Sequence, residues 1–433
     1  MDLGLSVATY FVLILVLLYI LHRWNKTSSA NFPPGPKCWP LIGNLHIMDL
    51  NRPHKTYLEL AKTYGSVFSV QMGMKKMVVL AGYEAVKDAL INHAEEFGER
   101  GIVKMLKDMD KEKGLISSNG ENWKVMRRFT ITTLRDFGMG KSTIEDKIAE
   151  ESVHLTNHIA SFKGKQFDDL MILNAAVANI IVAILLGHRM SYEDPQFKRL
   201  LSLTNENVRL LGAPMVSDAE NSQTYFHNDN LRVLVRNLFT AGMETTSTTL
   251  SWGLLLMVKY PKIQEKVQEE ISRVVGSAQP LYSHRGQMPF TYAVVHEIQR
   301  FSDIIPLGVI HETSRDVTFK GYFIPKGTFI IPLLTSVLKD KTQFEKPDEF
   351  YPNHFLDAKG NFIKKDAFLP FSAGRRVCAG ENLARMELFI FFTSLLQKFT
   401  FCLPPGIGHV NMTPGVGITS TPMKQMICAV PRF

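Results

Sequence analysis

Four cysteines are too few and too scattered for a disulfide framework: Cys38, Cys378, Cys402 and Cys428 form no CxxC pair. Such sparse thiols are expected to stay reduced, in a body that faces the cytosol. No self-similarity appears at periods of roughly 20–50 residues, which excludes a solenoid or propeller. A large excess of one charge is lacking too. The 49 Lys+Arg and 41 Asp+Glu leave +8 over 433 residues, mild for a nucleic-acid binder and without a binding motif behind it. Glycine (29) and proline (21) stand at ordinary levels, so collagen-like and low-complexity architectures are excluded. With 45% apolar and 21% charged residues, an intrinsically disordered chain is excluded as well. The length fits roughly two or three ordinary domains or one large one.

What is there begins with a long apolar run. Leu3 to Leu21 carries no charge; at ~1.5 Å per residue it spans ~28 Å, close to a hydrocarbon core of ~30 Å. A cleaved signal peptide wants a basic start, yet the only charged side chain ahead of the run is Asp2. His22, Arg23 and Lys26 follow it. The expectation is a transmembrane anchor over residues 1–21 with the body on the cytosolic side. Residues 22–40 contain Pro33-Pro34-Gly35-Pro36, too stiff for a helix, and read as a spacer holding a body of residues 41–433 off the bilayer.

That body is expected to be mainly α with a small β region. Val67 to Leu80 reads as a β-hairpin around Gly73, and Val317 to Leu333 as short strands punctuated by Gly321, Pro325 and Gly327. Helical period covers Tyr83–His93, Trp123–Thr133, Ile144–Ser161, Leu170–Leu186, Leu231–Tyr260, Pro261–Val275, Phe290–Phe301 and Gly380–Phe399. Leu231–Tyr260 is apolar nearly all round and should lie in the core. In its middle stands Ala241-Gly242-Met243-Glu244-Thr245-Thr246. Burying Glu244 without a partner would cost several kcal/mol. Either this is a kink, with Thr245 bonded back to a carbonyl one turn earlier, or it is chemistry; the helix alone leaves both readings open.

Near the C-terminus stands Phe371-Ser372-Ala373-Gly374-Arg375-Arg376-Val377-Cys378-Ala379-Gly380. It reads as a glycine-permitted loop delivering one cysteine to the start of a helix, where the dipole favours a thiolate. Gly374 and Gly380 would let the backbone approach something large and flat, and Arg376 could hold a carboxylate. An isolated cysteine before a helix is usually inert packing; the ten-residue pattern is what argues otherwise.

That pattern, FxxGxRxCxG, resembles the haem-binding loop of the cytochrome P-450 monooxygenases. Glu297-Ile298-Gln299-Arg300 is similar to their ExxR motif, Ala241-Gly242-Met243-Glu244-Thr245 to their AGxET segment, and Trp123-Lys124-Val125-Met126-Arg127 to their WxxxR. The apolar N-terminus and Pro33-Pro34-Gly35-Pro36 resemble the microsomal, drug-metabolising branch of vertebrates, of the second family type. The resemblance implies haem b (iron protoporphyrin IX) with Cys378 as axial thiolate, which favours O–O cleavage. It implies Phe371 beside the porphyrin, and Trp123, Arg127, Arg376, Arg100 and His311 on the propionates. Thr245 and Glu244 would relay protons to dioxygen, while Ala241 and Gly242 leave room for oxygen and substrate. Glu297 and Arg300 would scaffold the loop, with His354 where many members carry Arg; a histidine there is pH-sensitive in principle. Substrate contacts would come from Ile305, Leu307 and Val309, from Val416 in Gly415 to Ile418, and from Gly101–Ser118.

The resemblance also implies an endoplasmic-reticulum membrane protein acting on lipophilic xenobiotics, fatty acids or steroids. Electrons would come from an NADPH-dependent flavin reductase, with a cytochrome b-type protein as a second donor. Lys124, Arg127, Arg128, Arg135, Lys364 and Lys365 would form its basic docking patch, and some positive charge could meet anionic lipid; nucleic acid is not expected. The pattern breaks between Asn207 and Asn230, where a short polar stretch stands for helices that roof the substrate cavity, as if deleted near 216–217. The alternative function is a membrane-tethered haem-binding isoform, catalytically impaired for want of that roof.

Overall fold

The computed structural model describes residues 9–16, 31–102, 112–136, 142–210 and 228–432. Of the expected anchor, residues 9–16 are helical and exposed throughout, and the rest lies outside the described residues. Along the chain come α1 (Pro53–Tyr64), β1 (Val67–Met72), β2 (Lys75–Leu80), β3 (Glu99–Arg100), α2 (Gly120–Asp136), α3 (Ser142–Ala160), β4 (Gln166–Phe167), α4 (Asp169–Leu186), α5 (Pro195–Leu210) and α6 (Asn228–Lys259). They are followed by α7 (Pro261–Val274), α8 (Pro289–Ser302), β5 (His311–Glu312), β6 (Val317–Phe319), β7 (Tyr322–Ile324), β8 (Phe329–Pro332), α9 (Glu381–Lys398), β9 (Phe399–Cys402) and β10 (Ile427–Pro431). The fold is thus mainly helical with little strand. The chain divides into two compact units, residues 1–101 with 309–333 and residues 102–308 with 334–433.

The first unit is built on a five-stranded sheet in the order β1-β2-β8-β5-β3. The hairpin β1–β2 turns at Gly73, whose φ of 58° is open to glycine at little steric cost. β2 then pairs in parallel with β8, Val78 against Ile330 and Val79 against Ile331. This joins two β-rich stretches that lie far apart in the sequence. A strand buried on both faces reads as an unbroken apolar run, and Val78, Val79 and Leu80 are all fully buried. The proline stretch does not run free as a spacer. Ser69 donates from its amide to the Pro34 carbonyl at 2.7 Å and from its hydroxyl to that of Pro33 at 2.8 Å. Gly35 packs so closely there that a Cβ would stand 2.1 Å from the Ser69 carbonyl oxygen.

The second unit packs α2–α9 around one apolar core, with α4, α6 and α9 at its centre. Pro at the first turn starts α7 and α8, where a missing N–H costs nothing. Asp168 caps α4, accepting from the Leu170 amide at 3.3 Å, and Gly187 ends it in the left-handed region. Among the described residues α4 alone is long and apolar enough to cross a membrane, with a mean hydropathy of 2.2, but 67% of it is buried inside the protein; it is a core helix. A three-stranded sheet, β4-β10-β9, closes the C-terminal end. The sequence pattern does not announce it, since β4 has two residues and β9 four.

Candidate active site

The cysteine loop is closed by its own backbone. The Cys378 amide donates to the Phe371 carbonyl at 3.0 Å and that of Val377 to Gly374 at 3.2 Å, with Ser372 and Gly374 at positive φ. Cys378 is thereby delivered to the N-terminus of α9. Cys378 is solvent-accessible, yet enough protein surrounds its thiol for desolvation to count. Burial pushes its pKa up; the amides of Gly380 and Glu381 and the nearby Arg127 charge pull the other way without prevailing. The helix N-terminus therefore does not by itself yield the low thiol pKa expected from the sequence. A further positive charge opposite the sulfur would favour ionisation.

Beside this loop lies an aromatic ring crowded by cations. The guanidinium of Arg376 sits 4.0 Å from the Trp123 ring centre, with Arg375 at 5.5 Å and Arg127 at 5.7 Å. Arg376 is buried and held by the Ser118 carbonyl and by Asn119 Oδ1, each at 2.9 Å. Arg127 donates to the Val377 carbonyl at 2.8 Å. Trp123 Nε1 is buried with no hydrogen-bond partner among the described residues. An indole N–H among three guanidiniums awaits an anionic acceptor. Arg375 is the member sequence reasoning missed. Phe371 stacks under Arg385, 5.3 Å from guanidinium to ring centre.

On α6, Ala241 is exposed and Glu244 buried. The Thr245 hydroxyl donates back to the Ala241 carbonyl at 2.7 Å, the local bond foreseen as the non-chemical reading. Glu244 Oε1 accepts from Thr419 at 2.9 Å and Thr421 at 3.3 Å, partners the sequence did not reveal, and burial raises its pKa. Gly242 does not open space for oxygen as expected. A Cβ there would stand 2.8 Å from Ile181 Cδ1, so its role is the close approach of α4 and α6. Asn237 Oδ1 accepts from the amides of Leu115 (3.0 Å) and Ile116 (3.2 Å), tying the end of the Gly101–Ser118 segment to α6; residues 103–111 lie outside the described residues.

Glu297 and Arg300 form a fully buried bidentate pair, with both N···O distances at 2.7 Å. Arg300 also donates to the carbonyls of Leu338, Pro347 and Glu349 at 2.8–2.9 Å, so its five N–H groups are used. His354 Nε2 accepts from the Lys346 amide at 3.1 Å. The proton therefore sits on Nδ1, which donates to Glu297 at 3.2 Å. Arg100 and His311 belong to the first unit, where they are cross-strand partners. Arg100 donates to the Val309 carbonyl at 3.2 Å and His311 Nδ1 to Phe97 at 2.6 Å. Ile305 and Leu307 are half-buried, while Val309 and Val416 are exposed. Of the basic side chains, Arg128, Arg135 and Lys364 are exposed. Lys124 pairs with Glu121 at 3.2 Å, and Arg127 and Lys365 turn to backbone carbonyls.

These residues fit a haem. Among the described residues no three His, Cys, Asp or Glu side chains converge to hold a metal. The accessible thiol, the exposed Ala241 and the cationic cluster with its unmet indole donor suit iron, ring and carboxylates in turn.

The comparisons agree with the geometry. A family model described as Cytochrome P450 matches residues 33–219 and 215–429, two stretches that meet at 215–219. The chain is 45% identical to Cytochrome P450 2K4 of Oncorhynchus mykiss, covering 99% of the chain and 98% of that protein. It is 44% identical to Cytochrome P450 2K6 of Danio rerio (91% and 90% covered) and 40% identical to Cytochrome P450 2C8 of Homo sapiens (98% and 99%). The alignment with the first runs over 492 positions, more than the 433 residues of the chain, so that relative carries sequence the chain lacks.

Proposed function

Because the chain belongs to the cytochrome P450 family, of the second family type, and is by that membership a haem-dependent monooxygenase, we propose that it inserts one atom of dioxygen into lipophilic substrates of the xenobiotic, fatty-acid or steroid class. An accessible thiol at the start of α9 beside a cationic, indole-containing cradle carries this reading. Bound haem supplies activation of dioxygen by electrons that a partner protein delivers.

The chain's own residues supply the rest. Cys378 binds the iron as thiolate, and the Gly380 and Glu381 amides hold its charge. Arg376, Arg127 and the Trp123 N–H hold the propionates, with Arg100 and His311 as further partners, and Phe371 lies against the ring. Thr245 would serve as a donor toward oxygen once its hydroxyl leaves the Ala241 carbonyl, and Glu244, whose pKa burial raises, would stand behind it as a proton source. Glu297, Arg300 and His354 fix the segments behind the loop. Ile305, Leu307, Val309 and Val416 supply apolar contacts to substrate. An NADPH-dependent flavin reductase docks on the exposed Arg128, Arg135 and Lys364, with a cytochrome b-type donor as alternate. Residues 1–21 anchor the protein in the endoplasmic-reticulum membrane, body toward the cytosol.

One observation favours a second reading. The family match divides into two stretches that overlap at 215–219, and the alignment with the Oncorhynchus mykiss relative runs over more positions than the chain has residues. Loss of cavity-roofing helices near 216–217 would leave a membrane-tethered haem protein with impaired turnover. NADPH-driven oxidation of lipophilic probes with added reductase, alongside the reduced CO spectrum, tests both. A thiolate spectrum with product formation supports the first reading, and the spectrum without product supports the second.

A further inference from the structure

The C-terminal sheet holds two sulfurs that the haem site does not use. β9 and β10 are antiparallel, with Cys402 directly opposite Cys428. Directly opposed residues project to one face, with Cα atoms ~4.5 or ~5.5 Å apart. A disulfide requires Cα atoms about 4.4–6.8 Å apart, which either kind of pair meets, and Cβ atoms about 3.5–4.5 Å apart, which a small local closure from the usual cross-strand spacing of about 4.5–5.5 Å supplies. Both thiols are free. They are near enough to interact: the Cys428 pKa is raised by burial first and by Cys402 next.

Access is asymmetric. Cys402 is half-buried and lines a cavity of about 300 Å³ with Gln264, Gln268 and Thr400, whereas Cys428 is buried. We propose that Cys402 and Cys428 are a reversible oxidative cross-linking site, closed by hydrogen peroxide entering at Cys402. The Cys402 thiolate attacks one peroxide oxygen; the S–O bond forms as the O–O bond breaks, and the departing hydroxide takes a proton to become water. The Cys428 sulfur then displaces the hydroxyl of the sulfenic acid, forming the S–S bond and releasing a second water. Two thiols lose two electrons and one peroxide gains them. A dithiol reductant reverses the step.

The cross-link closes the neck of a loop that touches the central helix. Residues 403–427 include Thr419 and Thr421, the two donors to Glu244. Asn411 and Gln425 already bridge the loop, with the Asn411 amide on Gln425 Oε1 at 3.1 Å and Gln425 Nε2 on the Asn411 carbonyl at 2.8 Å. Oxidation would tighten the loop by removing its open-neck conformations.

The test is peroxide titration of the full haem-loaded chain, followed by alkylation and peptide mapping without reductant. The expected product is one linked peptide pair joining Cys402 and Cys428, lighter by two hydrogens and released by dithiothreitol. It should persist in Cys38→Ser and vanish in Cys402→Ala and Cys428→Ala. Amide exchange in residues 403–427 should slow about tenfold on oxidation of the parent chain only. Cys428 recovered alkylated after peroxide, with Cys402 over-oxidised or also alkylated, overturns the proposal without recourse to any variant.

Discussion

Cys378 feels two opposed effects whose balance decides its chemistry. Two backbone amides and Arg127 favour the thiolate, and enclosure by protein disfavours it more. A cation at the sulfur reverses that balance, so binding of ferric haem should release a proton near neutral pH. Cys378→Ser removes the only accessible thiol of the loop. It should abolish the thiolate-type absorption of the reduced CO complex, while Cys38→Ser, Cys402→Ser and Cys428→Ser keep it; a retained thiolate band in the Cys378 variant refutes the assignment. Thr245 poses a subtler question, because its hydroxyl rests on Ala241. If that hydroxyl turns to oxygen during turnover, Thr245→Ala should keep haem content and raise peroxide released per NADPH several-fold, a change in barrier of about 1 kcal/mol. Unchanged coupling would leave Thr245 a mere helix residue. The sequence shows which residue types stand at these points. It does not show where Thr245 or Gly242 turns, because that depends on partners such as Ala241 and Ile181.

At the scale of elements, α8 and α9 carry buried charge that different surroundings treat differently. Arg300 is bound on every donor, so Arg300→Ala strands Glu297 in the core and should cost about 3–5 kcal/mol. Arg300→Lys should recover only part of this, since an ammonium cannot form the fork. Urea midpoints read both. Among the described residues Glu387 of α9 has no such counter-ion: burial drives its pKa from 4.5 to about 8, with Thr246 of α6 a weaker opposing influence. The folded chain therefore keeps a proton that the unfolded chain loses between pH 4.5 and about 8. Stability should fall as pH rises through that window, by on the order of a few kcal/mol. Glu387→Gln should flatten this slope in urea melts across the same range, and an unchanged slope would assign it elsewhere. The long helices were legible because apolar residues recur with helical period over many turns. β4, β9 and β10 were not: two to five residues carry too little pattern, and their pairing is set by strands distant in the chain.

For the whole molecule, the decisive question is what the proposed loss of a segment near 216–217 does to a fold whose other parts are in place. Apolar side chains stand exposed on the elements flanking it: Leu200 and Leu203 on α5, Leu231 and Val235 on α6. Elsewhere on α6, Leu234, Leu250, Leu254, Leu255 and Leu256 are buried. That contrast fits a face shaped for a cover. If a covering segment leaves several hundred Å² of such surface in water, at ~25 cal/mol per Å² the deficit is on the order of 10 kcal/mol, comparable with the stability of an entire protein. Water reaching the distal side would also compete with substrate and let activated oxygen escape as peroxide. The proximal loop, the ExxR pair and the Trp123 cluster draw on α2, α8 and α9, none of which adjoins the break in sequence, so they should assemble first and fail last. The 433-residue chain should thus bind haem weakly or turn over with most electrons lost to peroxide. Inserting after Val216 the segment that the Oncorhynchus mykiss relative carries should raise haem occupancy and coupling together. Equal occupancy and tight coupling with and without the insert would show that the chain closes its own cavity.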